Sequence, residues 1–380
     1  MNECRIAKYR AEHKRPIAEL QRGLWSSDPA LNTRYLEWKY ERNPYVQETL
    51  IYVALDGDEV VGMRGFHGAR LEAGNSSQTF PALFADDTLI SSRYRNRGLT
   101  TRIMKAAHAD LGERGHRYVF SLGNASRVNG LGLMTLGWKS AGGLRPIGRT
   151  SEKARRRARL RNVVARQRLI WRFSNARFLA YADQRQPFRH LDASMARRRS
   201  VSELPIAVER APRLDAMAEL VERLGHDGRI RQVRDRAYLA WRFNNPLSEF
   251  RFVYCGKERL DGYLVLGRRA SDLGAFDRVY VADLEAIDDA VRAELLCAAT
   301  DWGRFPEFVT WSATLSEAEL RAFTGQGFGP VDMEQAVRGF PCVLVRPLPN
   351  GSSDGDWTLA GRPLLDLANW DVRVLYSMRA

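Results

Sequence analysis

The chain has 380 residues, 44% of them hydrophobic and 27% charged, with a formal net charge of +14. This is the composition of a soluble globular protein with room for two ordinary domains; no apolar run approaches the roughly 20 residues that cross a bilayer, and the N-terminus lacks the apolar stretch of a secretory leader. Four scattered cysteines without a CxxC pair and six histidines without ligand spacing exclude a sequence-encoded metal site and fit a reduced, cytoplasmic chain.

In chain order, a charged helical stretch ends in Tyr35-Leu-Glu-Trp-Lys-Tyr-Glu-Arg-Asn-Pro44. Pro44 should stop that helix, because the residue before a proline is pushed out of the helical region. Strands are expected at Glu48–Leu55, at Glu59–Phe66 after the turn Asp56-Gly57-Asp58, and at Ala82–Ile90. A helix over Leu99–Leu111, a strand at Tyr118–Leu122 and a helix closing on Gly137-Trp138 complete the first unit. Residues 151–200 then carry fifteen Lys/Arg against Glu152, Asp183 and Asp192, so most of the net charge sits in one segment. Gly and Pro are absent from 151 to 186, which predicts helix rather than flexible linker. Its triplets Arg155–Arg157 and Arg197–Arg199 are solvated helix faces or a patch for an acidic carrier protein, RNA or an anionic membrane surface; DNA is not a partner the pattern suggests.

From residue 238 the series begins again with Tyr238-Leu-Ala-Trp-Arg-Phe-Asn-Asn-Pro246, one residue shorter before its Asn-Pro. Strands at Phe250–Cys255, Asp261–Arg268 and Asp277–Leu284 follow, then a helix at Ala290–Trp302, a strand at Phe308–Ser312 and a helix closing on Gly327-Phe328. Two copies of one α/β unit are expected, each a mixed, mostly antiparallel sheet flanked by helices. The boundaries drawn are 1–150, a connector at 151–200, and 201–380. Recurrence of Tyr-Leu-x-Trp in both copies favours packing over a pocket wall for Tyr35 and Trp38.

The strongest chemical signal is Thr88-Leu-Ile-Ser-Ser-Arg-Tyr-Arg-Asn-Arg-Gly-Leu-Thr-Thr101. A strand ends in a basic loop, Gly98 permits a tight path, and a helix starts at once. The first-turn amides of such a helix lack internal partners and sit at its positive end, which suits a pyrophosphate; Arg95 and Arg97 add charge-assisted bonds and Thr101 a hydroxyl. The second copy has no glycine there and instead presents Glu285, Asp288 and Asp289, which would repel phosphate.

On these residues the chain resembles the GNAT superfamily of acyl-CoA N-acyltransferases over roughly residues 4–148. The family loop reads Arg/Gln-x-x-Gly-x-Gly/Ala, matched by Arg95-x-x-Gly98 and departed from at Thr100. The resemblance implies the acyl-CoA N-acyltransferase fold in two copies, the second degenerate. It implies acetyl-CoA or another acyl-CoA as co-substrate, with the pyrophosphate on the loop Arg95, Asn96, Arg97, Gly98, Leu99, Thr100 and Thr101, and the pantetheine arm on the backbone of Leu89 and Ile90. Asn124 would contact the same arm or cap the next helix. Asp87 takes the place of the general base, while strand alternation sends Asp86 to the other face. The family's tyrosine acid is replaced by Leu133, so either another group, with Ser126 and a water as candidates, protonates the thiolate, or catalysis proceeds without a dedicated acid. The function implied is transfer of an acetyl or short acyl group to a primary amine of a small molecule, such as an amino sugar. The alternatives are an aminoacyl-tRNA-dependent ligase of cell-wall synthesis and a non-catalytic CoA-binding protein.

Overall fold

The computed structural model describes residues 4–125, 132–151, 188–195, 204–257, 259–270, 278–331, 340–349 and 357–378. Most of the basic connector, both arginine triplets and Ser126 therefore lie outside the described residues. Among the described residues no helix is long and apolar enough to cross a membrane.

Among the described residues fifteen strands build two main sheets: β1 (Arg5–Lys8), β2 (Leu50–Asp56), β3 (Glu59–Ala73), β4 (Gln78–Ile90), β5 (Tyr118–Ala125), β6 (Lys139–Gly143), β7 (Pro146–Thr150), β8 (Ile206–Glu209), β9 (Arg231–Gln232), β10 (Ser248–Cys255), β11 (Gly262–Arg269), β12 (Arg278–Ala286), β13 (Glu307–Trp311), β14 (Gly329–Pro330) and β15 (Phe340–Pro347). The first sheet runs β1-β2-β3-β4-β5-β15-β6, with β9 added on β3; the second runs β8-β10-β11-β12-β13-β7-β14. The two orders are the same, and in both the fourth and fifth strands are parallel while the neighbouring pairs are antiparallel. The sixth strand of each sheet comes from the other half of the chain. β15 runs along all of β5, and β7 pairs with β13. This reciprocal exchange crosses the sequence boundary at residue 150 and carries no signal in either strand's own residues.

Among the described residues the helices are α1 (Lys14–Leu20), α2 (Pro29–Leu36), α3 (Leu99–Glu113), α4 (Arg189–Ser194), α5 (Leu214–Leu224), α6 (Arg236–Phe243), α7 (Asp289–Gly303) and α8 (Glu317–Gly325). Leu99, Ile103, Ala107 and Leu111 recur at helical spacing on α3 and are buried against the first sheet with Val61, Phe66 and Leu83. The counterpart α7 buries Val291, Leu295 and Leu296 on the second sheet. The α7 contact is close because of a glycine: a Cβ on Gly262 would overlap Val291 and Leu295, whereas one on Gly62 would overlap Ile90 of the neighbouring strand.

The repeated motif lies where the two halves meet. Trp38 and Trp241 stack at 4.8 Å and 10°, and each indole donates to the other's carbonyl: Trp38 Nε1 to Trp241 O at 2.6 Å, Trp241 Nε1 to Trp38 O at 2.9 Å. Around them one core cluster draws Trp25, Tyr35 and Phe84 from the first half and Tyr238, Trp370 and Tyr376 from the second. The extra residue in the first motif is absorbed by a π-helical turn, Glu37–Glu41, closed by Arg42 N donating to Glu37 O at 2.8 Å. Both motifs end before their prolines, α6 at Phe243 and the π turn at Glu41. His67 extends this contact, stacked on Phe84 at 5.7 Å and 6.4 Å from Trp241.

Trp38→Ala and Trp241→Ala should each cost about 3–5 kcal/mol in urea unfolding. Because each removes the other's partner, the double variant should fall short of the sum by about 1–3 kcal/mol; strict additivity would mean that the two rings contribute independently. Burial, reinforced by Lys39 and Arg242 and opposed by Asp86, lowers the His67 pKa from 6.5 to about 3. A folded value below the unfolded one gives stability that is complete above pH 6.5 and lost as pH falls toward 3. Between pH 7 and 5 the loss is about 2 kcal/mol for this histidine. His67→Phe should flatten the slope of stability against pH by that amount, and an unchanged slope would remove His67 as its source.

Candidate functional site

β4 and β5 are hydrogen-bonded for two residues only, Leu83–Val119 and Phe84–Phe120, and then diverge. The backbone of β4 from Ala85 to Ile90 therefore has no β5 partner, while β3 pairs its other edge at Leu89 and Ile90. This fork opens toward the N-terminus of α3. Before that helix the chain makes a short 3-10 turn, Ser92–Tyr94, turns at Asn96 (φ 62) and enters the helix through Gly98 (φ 69). Those left-handed values are what glycine, and next to it asparagine, tolerate. Gly98 is the N-cap and no side chain caps α3; the first intrahelical bond is Arg102 N to Gly98 O at 3.1 Å. The first turn of α3 thus has no side-chain cap for its amides. Arg95, Asn96, Arg97 and Gly98 are exposed, with the Arg97 guanidinium 4.9 Å from the Tyr94 ring, whereas Leu99 is buried and Thr100 and Thr101 are half-buried. The structure thus brings the loop residues, Leu89 and Ile90 to one end of one fork. Asn124 stands on the opposite arm, where its backbone pairs with Pro341 of β15.

The same place in the second half is built to reject an anion. β12 and β13 form an equivalent fork, paired only from Arg278 to Tyr280. α7 is capped by its own carboxylate, Asp288, which accepts from Val291 N at 2.8 Å. One helix start has no side-chain cap and lies beside two arginines; the other already holds a negative group.

Strand alternation does not separate Asp86 from Asp87. A bulge in β4 opposite Met63–Gly65 inserts one residue, and Asp87 adopts φ 53. Both acids therefore point to the α1–α2 face, and both bind Lys39: Nζ donates to Asp86 Oδ2 at 2.8 Å and to Asp87 Oδ1 at 3.2 Å. The expectation that Asp86 faces away fails because alternation holds only for a regular ladder. After the bulge, Leu89 packs on the α1–α2 side and Ile90 on the α3 side.

Asp87 is enclosed. Its Oδ1 also accepts from Trp25 Nε1 at 2.9 Å, and its Oδ2 from Tyr40 Oη at 2.8 Å and Gln21 Nε2 at 3.4 Å. Four donors on two oxygens describe a carboxylate with its acceptor capacity used. Burial raises its pKa, and the Lys39 ammonium pulls against that rise. For Lys39, burial opposes the charge, but Asp86 and Asp87 outweigh it and hold the pKa above the usual lysine value. Asp86 binds the Asp87 amide with Oδ1 at 2.9 Å and keeps 24% of its side chain exposed, against none for Asp87 and Lys39. Tyr40 reaches Asp87 across Gly65, where any Cβ would overlap the phenol ring.

Lys39, Trp25, Tyr40 and Gln21 were not singled out from the sequence. Lys39 and Tyr40 carried a signal, since they occupy the motif positions that Arg242 and Phe243 take in the second copy. Leu133 packs on the α3 cluster with Leu136 and Tyr94.

Residues 5–130 match the family model for the acetyltransferase (GNAT) domain. No curated protein matches the chain. Among solved structures the chain is similar to an Enterococcus faecalis V583 protein described as a probable N-acyltransferase, at 11% identity and a TM-score of 0.57 over 92% of this chain and 74% of that one. A GCN5-related N-acetyltransferase from Anabaena variabilis ATCC 29413 aligns at 11% identity and a TM-score of 0.54 over 90% and 72%. A tandem GNAT protein from the clavulanic acid biosynthesis pathway aligns at 11% identity and a TM-score of 0.53 over 93% of this chain and all of that one. At such identities these likenesses concern the fold.

Proposed function

We propose that this chain, a member of the GNAT acetyltransferase family through its residues 5–130, moves an acetyl or short acyl group from acyl-CoA to a primary amine of a small molecule, with amino sugars as the acceptor class. The observation that carries the proposal is the contrast between the two helix starts, α3 uncapped beside Arg95 and Arg97, α7 capped by Asp288. The α3 amides and both arginines would hold the pyrophosphate. The unpaired edge of β4 at Leu89 and Ile90 would hold the pantetheine arm, with Asn124 on the facing strand. Acyl-CoA supplies the activated thioester.

The acceptor enters from the α1–α2 face, where the bulge presents the acids. Its nitrogen attacks the thioester carbonyl, the C–N bond forms, the C–S bond breaks, and the amine proton must leave. From sequence that role falls to Asp87. Its enclosure suits an anchor instead, and we assign the acceptor-facing role to Asp86, oriented by Lys39 and the Asp87 amide. Leu133 carries no proton, so Ser126 with a water remains the proposed donor to the departing thiolate.

Gly98→Glu places a carboxylate at the anion position and a side chain at φ 69. Calorimetry should show at least a hundredfold weaker acetyl-CoA binding; retained affinity would dismiss the cradle. With an amine panel, Asp86→Asn should lower kcat/KM about a hundredfold, within the range for general bases, and leave acetyl-CoA affinity unchanged. Full activity would return the role to Asp87 or to solvent.

A further inference from the structure

The fork of the second half is not open. The segment Trp370–Ser377 runs through it. Trp370 bridges to Ile230, and Asp371 N donates to Ile230 O at 2.9 Å. Val372 is held on both backbone groups by the Thr314 hydroxyl, at 3.1 Å from its nitrogen and 3.2 Å from its oxygen. Val372, Arg373 and Val374 share one small cavity with β12 at Val281–Leu284 and with β13 at Thr310 and Trp311. At the centre is the Arg373 guanidinium. Nη1 donates to the Leu284 carbonyl of β12 at 3.2 Å and to Glu319 of α8 at 3.4 Å; Nη2 meets Glu285 at 3.4 Å, and Nε meets Asp371 at 2.7 Å. Beyond it the segment enters the shared core, where Arg242 donates to the carbonyls of Leu375 and Ser377, each at 2.7 Å.

We propose that the second fork is a guanidinium-binding slot, and that the chain's own segment Trp370–Ser377 is its resident ligand, anchored by Arg373. Three carboxylates and a main-chain carbonyl from β12, α8 and the segment itself converge on this planar cation: its Nη atoms hydrogen-bond to Leu284, Glu319 and Asp371, and Glu285 adds an ion pair. Arg234, Glu285's other partner at 2.6 Å, keeps that carboxylate ionised and aimed without filling the slot. The acids that make this fork hostile to phosphate are thus the ones that make it a cation slot. The inference rests on the acyl-CoA reading only in one consequence, that the chain takes one acyl-CoA and not two.

Hydrogen exchange on the full chain tests it. In Arg373→Ala the amides of Val372 to Ser377 should exchange at least tenfold faster, while those of α3 stay as in the unaltered chain. Millimolar methylguanidinium should restore the protection, and methylammonium or sodium chloride at equal concentration should not. Arg373→Lys should keep part of it. Protection unchanged in Arg373→Ala, or lost and not restored by methylguanidinium, overturns the slot. Should Arg373→Ala not fold, Thr314→Val removes only the two contacts to Val372. It should speed exchange at that amide about threefold, and no change there overturns the seating. Acetyl-CoA stoichiometry is read separately. Two molecules per chain would contradict a filled second fork, whereas none would overturn the acyl-CoA reading and leave the exchange results standing.

Discussion

The single turn from Glu37 to Glu41 sets more of this molecule than any other five residues. One residue beyond the α-helical count turns Trp38 onto Trp241 and places Lys39 and Tyr40 beneath Asp87. A wholly buried ammonium is tolerated only when paired and hydrogen-bonded. The price of burying Lys39 is met by two carboxylates from a β-bulge whose left-handed residue would itself be unfavourable elsewhere. The π turn and the bulge are each irregular, and each supplies what the other requires. The lock between the halves and the polar centre of the candidate site therefore share one stretch of backbone, and a shift in the first would displace the second.

The two halves began from the same instructions and diverged at their forks. Asp86 and Asp283 correspond: each accepts from the backbone amide of the following residue, at 2.9 and 3.0 Å. In the first half the next residue leaves the ladder. In the second, β12 stays paired with β11 through Asp283, Leu284, Glu285 and Ala286, and Asp283 is neutralised by Arg234 and Tyr263. The motif cations diverge in step. Lys39 serves two carboxylates; Arg242, with a fork of donors, serves carbonyls of the last described segment. The reciprocal exchange of β7 and β15 then ties the two sheets together, so neither half presents a complete sheet without the other.

The strand–loop–helix around Gly98 was legible from the sequence because each part is local: a glycine at positive φ, a buried stripe on α3, arginines on a loop. The repeat was legible too, down to the one-residue difference in length, and its role in packing followed from its presence in both copies. The sidedness of Asp86 was misread because alternation is a rule of regular ladders, and nothing in Ala-Asp-Asp-Thr announces a bulge. The enclosure of Asp87 was invisible for a different reason: Gln21, Trp25 and Tyr40 are 47 to 66 positions away along the chain. The strand exchange was hidden because strand residues encode pairing in general but not the identity of the partner.

An acid where a phosphate would sit reads from sequence as decay. Its surroundings argue otherwise, because decay does not explain a capped helix start, a guanidinium ringed by three carboxylates and a hydroxyl that holds both backbone groups of one residue. A fork left open would expose unpaired strand edge, which proteins cover at some cost. Here the cover is the chain itself, and it continues without a break into the core that surrounds Trp25, Tyr35 and Trp38. The second half thus keeps the shape of a ligand-binding domain because that shape has a ligand.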